Sequence, residues 1–191
     1  TEIIAANSQN GPTSIQGFLD VATCVPGLLE EVAMHPDVDA IVIACFDDTG
    51  LDAVRSLVSV PVLGIGEAAY HAASMIATKF SVITTLSRSV PGLENNLMRY
   101  GLAQKCMRVR ATDIPVLKLE EGDLTTLLKI QSEIREAITQ DHAEAIVLGC
   151  AGMADLMAQL SEEFGLPVID GVAAGVTFAE ALVNNRLSTS K

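Results

Sequence analysis

The 191-residue chain reads as an α/β protein of two pseudosymmetric lobes, each a mostly parallel sheet flanked by helices, with a candidate active site in the cleft between them. Three observations predict this. Apolar runs of four to seven residues alternate with longer amphipathic stretches, the pattern of βα units. Two of those runs, "AIVIAC" ending at Cys45 and "AIVLGC" ending at Cys150, are apolar at every position, as strands covered on both faces must be. Each run is also followed by the same sequel: Pro61 opens "PVLGIGEAA" 16 positions after Cys45, and Pro167 opens "PVIDGVAA" 17 positions after Cys150.

Element by element, strands are expected at 2–6, 39–45, 61–65, 80–85, 107–110, 115–119, 144–149 and 167–170. Helices are expected at 27–34, 50–58, 67–78, 89–100, 123–140, 152–164 and 172–184. The repeat divides the chain into a first lobe at 1–85, a second at 86–170, and a C-terminal helix within 171–191 that returns to the first lobe.

Composition excludes several function classes. Twelve Lys and Arg against 24 Asp and Glu leave a net charge of −12, which repels phosphate backbones and anionic lipid surfaces. Neither nucleic acid nor membrane is an expected partner, and the apolar runs are too short to span a bilayer. The opening "TEIIAANSQN" has no basic region followed by an apolar core, so it does not read as a secretion signal. Cys24, Cys45, Cys106 and Cys150 lie far apart with no C-x-x-C pair, which points to reduced thiols in a cytoplasm and to no metal site.

In open α/β sheets the ligand crevice lies beyond the carboxyl ends of the strands. Cys45 and Cys150 both stand there, so two facing lobes would bring their thiols to one cleft from opposite sides. Inverting a carbon by proton transfer needs a base on one face and an acid on the other, with the roles exchanged for the reverse direction. Two equivalent thiols meet that need. Each is expected just before a helix, where its pKa would be lowered, and the amides of Phe46 and Asp47, or Ala151 and Gly152, would bind an oxyanion or carboxylate. Gly149 and Gly152 let the backbone come close.

Thr84 and Thr85 end a strand at the same sheet edge and offer hydroxyls to a ligand, or else cap a helix. Asp47 and Asp48 would orient substrate N–H groups, although Asp48 or Thr49 equally suits a cap for the following helix. Gly64-x-Gly66 is a weak nucleotide signal and reads more simply as turn chemistry. His71 falls on a helix near the cleft. Cys24 and Cys106 read as packing residues.

Taken together, "IVIACFDD", "AIVLGCAGM", "PVLGIGEA" and "SVITTLSRS" resemble the hydantoin racemase branch of the Asp/Glu/hydantoin racemase superfamily, which includes allantoin racemases. The resemblance implies a cofactor-independent racemase acting on a small molecule, a hydantoin or allantoin, in which Cys45 and Cys150 are the acid/base pair. It implies further that the amides after each cysteine, with Thr84 and Thr85, hold the ring, and that the enzyme is a homo-oligomer. Members usually open with a strand, an Asn-Pro-Asn-type loop and a helix, whereas this chain opens at what looks like the second strand. Two alternatives stay open: a related decarboxylase or isomerase of a small acid, and a two-lobed binding module whose cysteines merely pack. The decarboxylase type resembles this chain only at the second cysteine, and the isomerase type keeps two cysteines but would want donors for two carboxylates, whereas acidic Asp47 and Asp48 stand beside the first.

Overall fold

The computed structural model describes residues 1–121 and 123–190. Gly122 and Lys191, the last residue of the expected C-terminal segment, lie outside it. Among the described residues, six strands form two sheets. β1 (Ile41–Ile43) and β2 (Val62–Gly64) make a parallel pair. β3 (Phe80–Thr84), β4 (Cys106–Ala111), β5 (Ala145–Gly149) and β6 (Val168–Asp170) make an all-parallel sheet in the order β4-β3-β5-β6. β3, which falls in the 1–85 stretch, thus pairs in the second sheet.

The described residues also form seven α-helices: α1 (Phe18–Ala33), α2 (Leu51–Leu57), α3 (Ile65–Ile76), α4 (Val90–Arg99), α5 (Leu124–Thr139), α6 (Met157–Phe164) and α7 (Gly171–Asn184). Alternation along the strands explains the double covering. On β5, Ala145 and Val147 face the core under α3 and α4, while Ile146 and Leu148 face the core under α5 and α6. Both sets are fully or almost fully buried, and each buried aliphatic side chain contributes roughly 1.5–3 kcal/mol. A third, smaller core joins Val32 of α1, Leu51 and Val54 of α2, Ile43 and Val62.

The internal repeat is a structural one. Ile43 pairs with Gly64 in the first sheet as Leu148 pairs with Asp170 in the second, and α3 follows Gly64 as α7 follows Asp170. These equivalent helices pack on each other and exchange sheets: α3 lies against β5, whereas α7 lies against β1 and β2. The chain past α7 continues onto the first sheet, where Thr189 donates to the carbonyls of Ser59 (2.8 Å) and Val60 (2.7 Å).

Two expected strands are absent. Residues 2–6 form no ladder, and Ile3 and Ile4 are 70% and 58% exposed. An apolar pattern is not sufficient for a strand, because backbone N–H and C=O groups need a partner row. Of residues 115–119, 116–119 fall in a 3₁₀ helix, Val116–Glu121, instead of a strand. Pro115 supplies no N–H, β4 is already the edge of its sheet, and the backbone closes locally through Lys118 N–H to the Pro115 carbonyl (2.9 Å).

Candidate active site

The two cysteines end their strands at the carboxyl edges of different sheets and are rooted in different cores. Cys45 packs against the small core of the first lobe, and Cys150 against the core under α5 and α6. One carboxylate joins them. Asp47 is close enough to both thiols to raise the pKa of each.

The backbone repeats around the sulfurs as it does along the strands. The N–H two residues on favours the thiolate at each site, that of Asp47 at Cys45 and that of Gly152 at Cys150. The carbonyl of Cys45 accepts from Asp48 N–H (2.9 Å), and that of Cys150 from Met153 N–H (3.0 Å). At Cys45 the Thr49 hydroxyl lies 3.3 Å from the sulfur. These donors do not dominate. Burial, reinforced by Asp47, pushes Cys45 up to about 12, and burial raises Cys150 as well.

The expected lowering at a helix start is therefore corrected. Cys150 does precede the 3₁₀ helix Ala151–Leu156, but α2 begins six residues after Cys45, past a turn. A thiol held in an apolar wall with one or two donors keeps its proton in the free protein.

The neighbours of the cysteines sort as follows. The side chain of Phe46 is 3% exposed and stacks edge-on against Tyr70 (5.3 Å between centroids), so only its backbone is left for a ligand. Asp47 is half-buried, is pushed by burial to about 6, and is tied by its carbonyl to Asn96 Nδ2 of α4 (2.9 Å). Thr84 spends its hydroxyl on the Gly149 carbonyl (3.1 Å), a link between β3 and β5. Thr85 is 4% exposed and makes no side-chain hydrogen bond among the described residues. Ala151 is half-buried and Gly152 exposed. A Cβ on Gly149 would meet Ile83 O, Thr84 Cβ and Val82 Cγ1 at 3.0 Å, which is the reason for glycine there.

Asp48 is not a cap for the following helix. Its backbone is left-handed at φ 52°, and its carboxylate reaches α3 instead, accepting from Gly66 N–H (2.9 Å), Glu67 N–H (2.7 Å) and the Tyr100 hydroxyl (2.7 Å). The first residue of that helix follows Gly64, where any Cβ would overlap the Asp48 carboxylate. Gly64-x-Gly66 is accordingly neither a turn device nor a nucleotide loop: it is the bare ground on which the Cys45 loop lies. Sequence reading missed Tyr100 and Asn96 as partners of this loop. The two glycines were the signal that something packs there, but not of what.

Residues 1–179 match the family described as Asp/Glu/Hydantoin racemase. The chain belongs to that family. It is 49% identical to a hydantoin racemase of Rhizobium meliloti over 193 residues, which takes in 100% of this chain and 80% of that protein. Among solved structures it superposes on an allantoin racemase from Pseudomonas fluorescens with a TM-score of 0.96 at 39% identity, covering 100% of this chain and 81% of that one. An allantoin racemase from Klebsiella pneumoniae gives 0.92 at 44%, covering 96% and 76%. The chain is thus an isomerase of the racemase type.

In this racemase no three His, Cys, Asp or Glu side chains cluster to hold a metal ion among the described residues. No helix among them is long and apolar enough to cross a membrane. His71 stands beside Tyr100, 6.5 Å between rings. Cys106 begins β4, where burial pushes it up to about 12.

Proposed function

We propose that the racemase inverts C5 of a 5-substituted hydantoin or of allantoin by proton transfer between Cys45 and Cys150, without a cofactor. The observation that carries this reading is the duplicated strand end: two thiols at the carboxyl edges of two sheets, each with the amide two residues on, and both within reach of the Asp47 charge. The names of the similar proteins supply the substrate class.

In one direction the Cys45 thiolate takes the C5 proton. The C5–H bond breaks, an S–H bond forms, and the electron pair passes into the ring as an enolate. Cys150 then delivers its proton to the opposite face and is left as thiolate. Starting from the other enantiomer, Cys150 abstracts and Cys45 delivers. The oxyanion of the enolate is met by backbone N–H groups at Phe46 or Ala151 and by the free hydroxyl of Thr85, donors that are in place before the reaction begins. Asp47 suits the ring N–H groups.

Because both thiols are held above their ordinary range, the resting form is largely neutral and the active form carries one thiolate. Ring binding excludes water and brings N–H donors to Asp47, which relieves its repulsion of a thiolate.

The test is deuterium exchange. One enantiomer of a 5-substituted hydantoin in D2O loses optical rotation and gains deuterium at C5 with the protein present, faster than without it. Cys45→Ser and Cys150→Ser each abolish inversion, while Cys24→Ser and Cys106→Ser retain it. Full inversion by Cys45→Ser refutes the two-thiol mechanism. A panel of allantoin, small alkyl hydantoins and aromatic hydantoins assigns the ring.

A further inference from the structure

The two halves of the repeat differ in how the helix after the second strand is capped. In the second half the cap is local: Asp170 ends β6 and accepts from Val172 N–H (3.0 Å) and Ala173 N–H (2.8 Å) at the start of α7. In the first half the equivalent position is Gly64, and the cap comes from Asp48, sixteen residues earlier and three after Cys45. A cap is usually a matter for the helix alone. Here it also fastens the loop that bears a reactive thiol.

The fastening has several points. The Asp48 carboxylate holds the first-turn amides of α3, and the Tyr100 hydroxyl closes on it from the end of α4. Asp48 N–H returns to the Cys45 carbonyl (2.9 Å), and Asn96 of α4 holds the Asp47 carbonyl (2.9 Å). A Cβ on Gly66 would lie 2.8 Å from Asp48 Oδ2 and would overlap the Phe46 carbonyl, so the loop rests directly on the helix. Arg55 in turn ties Glu67 in the first turn of α3 (2.6 Å) to the Val62 carbonyl of β2 (2.9 Å). The left-handed backbone of Asp48, which costs about 1–2 kcal/mol in an L-residue, is sustained by these contacts.

We propose that Asp48, seated on the bare Gly64-Ile65-Gly66 helix start and closed by Tyr100, is a positioning residue that aims the Cys45 thiol at the reacting carbon. This rests on the two-cysteine reading. Cys150 has no counterpart, since its half of the repeat caps α7 with Asp170. Loosening the clamp therefore impairs one of two otherwise equivalent thiols, and the defect is one-handed.

The consequence is measurable because the two hands of substrate depend on Cys45 differently. For the enantiomer whose proton Cys45 removes, a misaimed thiol slows exchange and inversion together. For its mirror image Cys150 still abstracts, but delivery by Cys45 fails, so Cys150 returns a solvent-derived proton to the same face. That enantiomer exchanges without inverting.

The experiment follows each enantiomer of a 5-alkyl hydantoin in D2O with Tyr100→Phe, Asp48→Asn, Asp170→Asn and Cys45→Ser, reading C5 deuterium by NMR and inversion by optical rotation. Misplacement of a catalytic group by about an ångström costs up to roughly 100-fold. Tyr100→Phe and Asp48→Asn are expected to raise the ratio of exchange to inversion about tenfold for one enantiomer alone, the same one that Cys45→Ser leaves exchanging without inversion. Asp170→Asn, which leaves the α7 cap a single acceptor oxygen, is expected to change exchange and inversion together for both hands. If Tyr100→Phe keeps both hands balanced while Cys45→Ser is one-sided, the positioning role is overturned and the two-cysteine mechanism stands. If Cys45→Ser still racemises, the mechanism fails and the inference fails with it.

Discussion

Gly64→Ala is the sharpest single test of how the Cys45 loop is held. Gly64 has φ −91° and ψ 143°, an ordinary extended conformation, so alanine brings no backbone strain there. The three heavy atoms nearest its added Cβ all belong to Asp48, and the nearest, a carboxylate oxygen, would overlap it. The carboxylate must leave its seat. That uncaps α3, worth about 1 kcal/mol, and strips a buried acid of three donors, worth about 1–3 kcal/mol more. The expected loss is about 3 kcal/mol by urea denaturation.

The decisive comparison is the same substitution in an Asp48→Gly background. Glycine accepts the left-handed turn at 48, and with the side chain gone the three atoms nearest the new methyl group are gone with it. There Gly64→Ala should be neutral or stabilise by about 0.5 kcal/mol through the unfolded chain. The two substitutions thus couple by about 3 kcal/mol, far more than independent sites show. Equal destabilisation in both backgrounds refutes the reasoning, because it would mean that something other than Asp48 fills the space over Gly64.

Three further outcomes are expected. Asp47→Asn removes the charge that raises both thiols, so Cys45 and Cys150 each ionise at lower pH; iodoacetamide reaction rates against pH, in variants retaining one of the two thiols, check this. Burial raises Asp48 to about 7 and Asp47 to about 6, above the ordinary carboxylate value, so the folded state holds these protons more tightly than the unfolded one. Their contribution to stability is complete below pH 4 and is lost as pH rises through 6 and 7; the urea midpoint should fall from pH 5 to pH 8, and less steeply in Asp47→Asn. Asp113, Asp123 and Asp141, held low by their partners, titrate below that window. Tyr70 is fully buried and its hydroxyl makes no hydrogen bond among the described residues, so Tyr70→Phe should raise stability by about 1 kcal/mol in the same denaturation assay; a loss of that size would mean the hydroxyl has a partner.

The sequence by itself determined the repeat, and with it the candidate cysteine pair. "AIVIAC" and "AIVLGC" read as strands with their cysteines at carboxyl edges; the double covering holds for β5, buried at every position, whereas in β1 only Ile43 is fully buried. The all-parallel order and the helices between strands follow from the same alternation. These are local properties, written in the spacing of apolar residues.

Tertiary structure decided what periodicity cannot express. Whether an apolar run finds a ladder partner depends on distant chain, which is why 2–6 and 115–119 are not strands. The carboxylate of Asp48 has its three donors on α3 and α4, at residues 66, 67 and 100, and only the folded chain brings them to it. The same holds for the ionisation of the thiols. Helix position argued for lowered pKa values, but burial depth and the shared charge of Asp47 raise them, and neither can be read along a chain. The matched strands end in two cysteines; the two halves differ in that α3 is capped from Asp48 and α7 from Asp170.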